Sequence, residues 1–123
     1  EAFSLPKANE EEKQARSEAI RNATCYAIEI PLKVMQEAYR SFDPIEQMVL
    51  QGNPASVSDA GVAALCAAAA VRGAWLNVYI NAAGLKSDDF AKNAMELADT
   101  IKEKTAIKEL ELLQLVETKI RNS

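Results

Sequence analysis

Gly52-Asn-Pro-Ala-Ser-Val-Ser-Asp-Ala-Gly-Val-Ala-Ala-Leu-Cys66 runs into four alanines and then into Val71-Arg-Gly-Ala-Trp-Leu-Asn-Val-Tyr-Ile-Asn81. Gly52 and Pro54 interrupt what precedes, Ser56 or Ser58 is placed to cap a new helix, and Asp59 falls in its first turn, where the helix dipole favours a carboxylate. From Ala60 to Val71 the residues are apolar and mostly small. Such a helix lets neighbouring backbones approach closely, and the pattern predicts burial on most of its circumference. Twelve apolar residues fall short of the roughly 20 that cross a bilayer, so no membrane span is expected. On a helical wheel Asp59, Ala63, Cys66, Ala70, Gly73 and Asn77 share one stripe, Asn81 lies close to it, and Arg72 points nearly the opposite way. Asp59 and Asn77 are about 27 Å apart at 1.5 Å per residue, so one helix cannot bring them to one small site. Antiparallel copies, or another element, would have to do so.

The rest of the chain follows the same helical grammar. Asn9 with Glu12 reads as a capping pair, and Glu12 is set to pair with Arg16. Ala15, Ala19, Ala23, Tyr26, Ala27 and Ile30 form an apolar stripe that widens between Ala23 and Met35. Pro31 inside it has no N–H to offer the Ala27 carbonyl and predicts a kink, because apolar spacing continues through Val34, Met35, Ala38 and Tyr39. Glu29 reads as a paired or solvated carboxylate, or as a site carboxylate beside the kink. Asp43-Pro44 starts a short helix over about 44–51 that Gly52 ends. Gly84 ends the central helix and Ser87 caps a last one reaching about Arg121. On that last helix Phe90, Ala94, Leu97, Ile101, Ala106, Leu110, Leu113 and Ile120 make the inward face, and Glu117 pairs with Arg121. The fold class expected is all-α, a single domain over 1–123: a multihelical bundle of three long, mostly antiparallel helices and a short one.

Composition narrows the chemistry. Of 123 residues 49% are apolar, and 14 basic against 18 acidic residues give a net charge of −4 with no basic block, which argues against a nucleic-acid partner. The chain contains no histidine, so serine–histidine and cysteine–histidine catalysis and the usual zinc ligand are absent. No metal site is expected. Cys25 and Cys66 read as free thiols of a reducing cytoplasm. Asn77 and Asn81 read as buried amides that need hydrogen-bond partners, either a ligand or a facing helix. From the residues alone, a helical interaction module and a ligand site at the Asn53–Asp59 loop both stand.

The stretches 52–66 and 71–83, together with Ala27-Ile-Glu-Ile-Pro-Leu-Lys-Val34 and Phe3-Ser-Leu-Pro-Lys7 with its following acidic run, resemble the formiminotetrahydrofolate cyclodeaminase/methenyltetrahydrofolate cyclohydrolase family. The likeness spans nearly the whole chain. It implies an oligomeric helical enzyme, here a homodimer, acting on tetrahydrofolate as substrate and needing no cofactor. It implies cyclising deamination of the 5-formimino form or, alternatively, hydrolysis of the 5,10-methenyl form. It also implies a preceding helical segment with a glycine-rich loop. Asp59 is the expected acid/base or cation-stabilising group. Asn53, Ser56 and Ser58 are expected to orient the pterin, with Asn77, Asn81 and Arg72 as further substrate contacts. For Arg72 a structural ion pair competes.

Overall fold

The computed structural model describes residues 1–123 and contains no strand. Four helices follow in order: α1 (Glu10–Arg40), α2 (Phe42–Gln51), α3 (Val57–Ala82) and α4 (Asp89–Arg121). Single turns of 3-10 helix sit at Ala2–Ser4, Pro54–Ser56 and Ala83–Leu85. The all-α bundle expected from sequence is the fold. α3 is its middle member. It runs antiparallel to α1, with Asn81 against Ala27, and antiparallel to α4, with Gly61 against Val116 and Tyr79 against Asp99. α1 and α4 are therefore parallel, and α2 lies across the end where α3 begins.

Composition explains this arrangement. Ten residues of α3 are buried, and seven of them are alanine or glycine. With so little side chain between axes, α1 and α4 seat directly on α3. At Gly61 a Cβ would meet Val116 Cγ1 at 3.0 Å, which marks a close α3–α4 approach. The volume comes from the neighbours: Ile28 and Met35 of α1, Phe42 and Val49 of α2, and Ile101, Leu112 and Val116 of α4. Two core clusters result. One is built on Ile28, Met35, Val71, Val78 and Ile101, and the other on Phe42, Ile45, Val49, Leu112 and Val116.

Local signals decide the ends. Asn9 Oδ1 accepts from Glu12 N–H at 2.8 Å, and Glu12 returns a carboxylate to the Ala8 N–H at 3.0 Å. That bond takes Glu12 away from Arg16, which instead lies over the Phe3 ring, 5.8 Å from its centroid. α1 continues unbroken through the buried Pro31 and bends, as expected. α2 begins at Phe42, ahead of Asp43-Pro44, because Phe42 is itself driven into the core. Gly52 ends α2 with ordinary negative φ; a Cβ there would overlap the Met48 carbonyl oxygen. Gly84 does not stop the chain cleanly, since a 3-10 turn carries on over it. Asp88, not Ser87, caps α4: its Oδ1 accepts from Phe90 and Ala91, and its carboxylate also takes Arg21 Nε at 2.6 Å. The Arg21 hydrogen bond holds the Asp88 carboxyl below the usual carboxylate range.

Three apolar stripes turn out differently. On α1 Tyr26 and Ile30 are exposed, and the buried face is Ile28, Pro31 and Met35. On α4 the inward register after Ile101 is Thr105, Leu112 and Val116, leaving Leu110 and Ile120 outside. The apolar residues there flank the seam on both sides, so spacing alone does not choose between them. On α3 only one face is covered within this chain. Val62, Leu65, Leu76 and Ile80 are all about half or more exposed, at 57%, 48%, 62% and 76%. The stretch Pro54–Leu85, longer than the apolar run Ala60–Val71 within it, is long and apolar enough to cross a membrane by length and composition alone; here its covered face carries the bundle's core.

Thr105 is fully buried, and its hydroxyl has no hydrogen-bond partner. Desolvating a hydroxyl without a partner costs about 1–3 kcal/mol. Thr105→Val keeps the shape and removes the orphan group, so we expect it to raise stability by about 1 kcal/mol, read as a higher urea midpoint at unchanged slope.

Candidate functional site

The expected site residues separate into three grooves, with Ser58 and Arg72 outside all of them. Asn53 and Asp59 lie on opposite sides of their loop. Asn53 is exposed; its Oδ1 accepts from Ala55 N–H at 3.0 Å and caps the Pro54–Ser56 turn. It lines a cavity of about 330 Å³ with Gly52, Pro54, Lys119 and Asn122. Ser56 and Asp59 face a different groove, about 390 Å³, walled by Pro44, Ile45 and Met48 of α2 and by Ala60 and Ala63. Ser56 stands at the N-cap of α3 without a side-chain cap bond, and Ser58 is an exposed first-turn residue. The expected hydroxyl cap is thus not made. Asp59 is exposed in the first turn, with an apolar wall on one side and the helix dipole beneath it.

At the far end of α3, Asn77 and Asn81 line a third groove of about 370 Å³ against Ala27, Ile30, Pro31 and Val34 of α1. Asn77 is exposed, not buried as the sequence implied. Asn81 is half-buried and donates to the Asn77 carbonyl at 2.7 Å and the Ala27 carbonyl at 3.4 Å. Arg72 pairs with Glu109 of α4, whose side chain is largely covered. This is the ion-pair alternative of the sequence reading. Glu29 is exposed, the solvated alternative.

One polar cluster went unnoticed in the sequence. Trp75 and Tyr79 stack at 4.2 Å between centroids, and both donate to Asp99 of α4, at 2.9 Å from the indole and 2.7 Å from the phenol. Lys102 Nζ sits 3.7 Å above the Trp75 ring. The signal was present: two aromatics with polar tips four residues apart on a helix need a common acceptor. The Asp99 hydrogen bond, with some burial, pushes the Tyr79 phenol up to about 12. A raised folded value favours the fold fully below the ordinary phenol range near 10, and that contribution is lost as pH rises through about 12.

The fold is thus an α-helical bundle whose grooves are lined by amide, hydroxyl and apolar side chains. The sequence profile of the formiminotransferase-cyclodeaminase family matches residues 1–100, and the chain belongs to that family. It is 38% identical to the methenyltetrahydrofolate cyclohydrolase of Methylorubrum extorquens over 120 residues, covering 97% of this chain and 57% of that protein. It is 32% identical to the formimidoyltransferase-cyclodeaminase of Mus musculus over 90 residues, 73% of this chain and 17% of that protein. For the Gallus gallus protein of the same name the identity is 29% over 103 residues, 84% of this chain and 19% of the relative. The chain thus spans little more than half of the cyclohydrolase and under a fifth of the two larger proteins.

In a background where Tyr26 and Tyr39 are phenylalanine, the Tyr79 phenol is expected to titrate near 12 by ultraviolet absorbance, and Asp99→Asn should return it toward 10. Titration near 10 before that change would remove the Asp99 bond from the solution structure.

Proposed function

We propose that this chain acts in folate-dependent one-carbon metabolism, closing 5-formiminotetrahydrofolate to 5,10-methenyltetrahydrofolate with release of ammonia. The observation that carries this reading is the family match across the Gly52–Asn81 stretch, with Asp59 set at the mouth of an apolar groove. The formimino group enters protonated, as its amidinium. N10 attacks its carbon as the C=N π bond opens onto nitrogen, the N10 proton passes to that nitrogen, and the remaining C–N bond breaks to release ammonia and leave the methenyl cation. One carboxylate that takes the N10 proton and returns it to the leaving nitrogen meets the need, and its negative charge stabilises the cationic bridge. Asp59 is assigned that role, with Ser56 beside it in the same groove and Ser58 in the same helical turn as pterin-orienting groups; Asn53, which faces the other cavity, is left out of this site. Tetrahydrofolate is substrate, and the chemistry calls for no metal or further cofactor. A second reading, cyclohydrolysis of the methenyl form to 10-formyltetrahydrofolate, is favoured by the 38% identity over 97% of the chain to a protein of that name. The free thiols of Cys25 and Cys66 suit a cytoplasmic setting.

We further propose a homodimer that joins the two ends of α3. Asp59 and Asn77 lie nine residues either side of Ala68, Ala63 and Gly73 five, and Cys66 and Ala70 two. Ala68 itself points into the core. A two-fold axis at that level would pair small residue with small residue, cover the exposed α3 face, and set Asp59 of one copy against Asn77 of the other. A Cβ on Gly73 meets nothing within this chain, so Gly73→Leu tests the seam without disturbing the bundle.

Two measurements check these proposals. Purified protein should change the methenyl absorbance when given 5-formimino- or 5,10-methenyltetrahydrofolate, and Asp59→Asn should abolish that change at unaltered helicity. Full turnover by the variant would make Asp59 structural. Sedimentation should show a dimer at micromolar concentration that Gly73→Leu converts to monomer; a wild-type monomer would overturn the seam.

A further inference from the structure

The bend in α1 and the two amides of α3 meet at one point. Pro31 has no N–H, so the Ala27 carbonyl cannot receive the helical donor it would take from that position. Asn81 Nδ2 stands 3.4 Å from that carbonyl and 2.7 Å from the Asn77 carbonyl one turn back on its own helix. Both partners are carbonyl oxygens, so the orientation of the Asn81 amide is forced: its nitrogen must face them. Pro31, Asn77 and Asn81 all line the groove between α1 and α3.

We infer that Asn81 is a positioning residue whose side-chain amide substitutes for the missing Pro31 N–H, pinning the bent α1 to α3 and setting the width of the groove. This reassigns Asn81 from substrate contact to scaffold. Both its donors go to backbone carbonyls. Asn77, exposed at the groove mouth, is then the amide free to meet a ligand carrying adjacent donors and acceptors. That last assignment rests on the folate reading above; the Asn81–Pro31 linkage does not.

A double-mutant cycle separates this from ordinary packing. Asn81→Ala leaves the Ala27 carbonyl without its donor and is expected to lower the melting temperature by about 4 °C or more. Pro31→Ala restores a backbone N–H at that site, so in its background Asn81→Ala should cost less than half as much. Equal cost in both backgrounds overturns the inference, because lost packing does not depend on residue 31. Should Asn81→Ala fail to fold, Asn81→Ser shortens the reach and enters the same cycle. In the unmutated protein the Asn81 side-chain amide protons should exchange with solvent more slowly than those of Asn77; equal exchange also overturns it. A third arm uses turnover. Asn81→Ala should raise KM for the formimino or methenyl substrate several-fold with smaller loss of kcat, and Pro31→Ala should reverse that rise. A coupled melting temperature without a KM effect would leave the linkage standing and remove this groove from substrate binding.

Discussion

The structure depends on how little side chain α3 carries. A middle helix of leucines would hold its neighbours apart and need far larger partners to fill the gaps. Alanines and Gly61 let α1 and α4 seat on its backbone, and the neighbours' Ile28, Met35, Phe42, Ile101, Leu112 and Val116 fill what space remains. The consequence is asymmetry. A helix that brings little volume of its own is buried only where another element comes to it, so half of α3 remains uncovered in a single chain. The same economy of side chain that builds the bundle therefore leaves the apolar face on which the proposed two-fold pairing rests.

Polar contacts then fix what the small residues leave free to slide. Asp99 receives both Trp75 and Tyr79, Asp88 receives Arg21 while capping α4, and Glu46 meets Lys108. Each joins two helices at a defined height, whereas alanine packing alone tolerates a shift along the axis. Exposed ion pairs contribute little to stability, so the Arg21 and Arg72 pairs serve register more than strength.

The helices and their order were legible because periodicity, Asn9, Gly52 and the acidic first turns are local signals. The kink was legible because Pro31 interrupts a pattern that resumes. What was not legible is relational. Tyr26 and Ile30 read as core because they are apolar at helical spacing, yet which flank of a broad stripe faces inward depends on where α3 lies. Leu110 and Ile120 were misplaced for the same reason. Ser87 was preferred to Asp88 as a cap, although only Asp88 can also reach Arg21, a partner 67 residues away. At the candidate site the sequence gathered the Asn53–Asp59 loop as one unit. The fold divides it, because the Pro54–Ser56 turn sends Asn53 toward the α4 terminus and Asp59 toward α2.

That division reaches into the core. The groove beside Asp59 is backed by the cluster of Phe42, Ile45 and Leu112, and the groove beside Asn77 by the cluster of Ile28, Val71 and Val78. Thr105 is buried on α4 between Ile101 of one cluster and Leu112 of the other. A protein whose interior is divided this way opens in parts, each with its own free energy. The two ends are joined by the long helices and by Tyr39, whose ring packs against both clusters and is the one side chain through which a change of packing at one end is felt at the other.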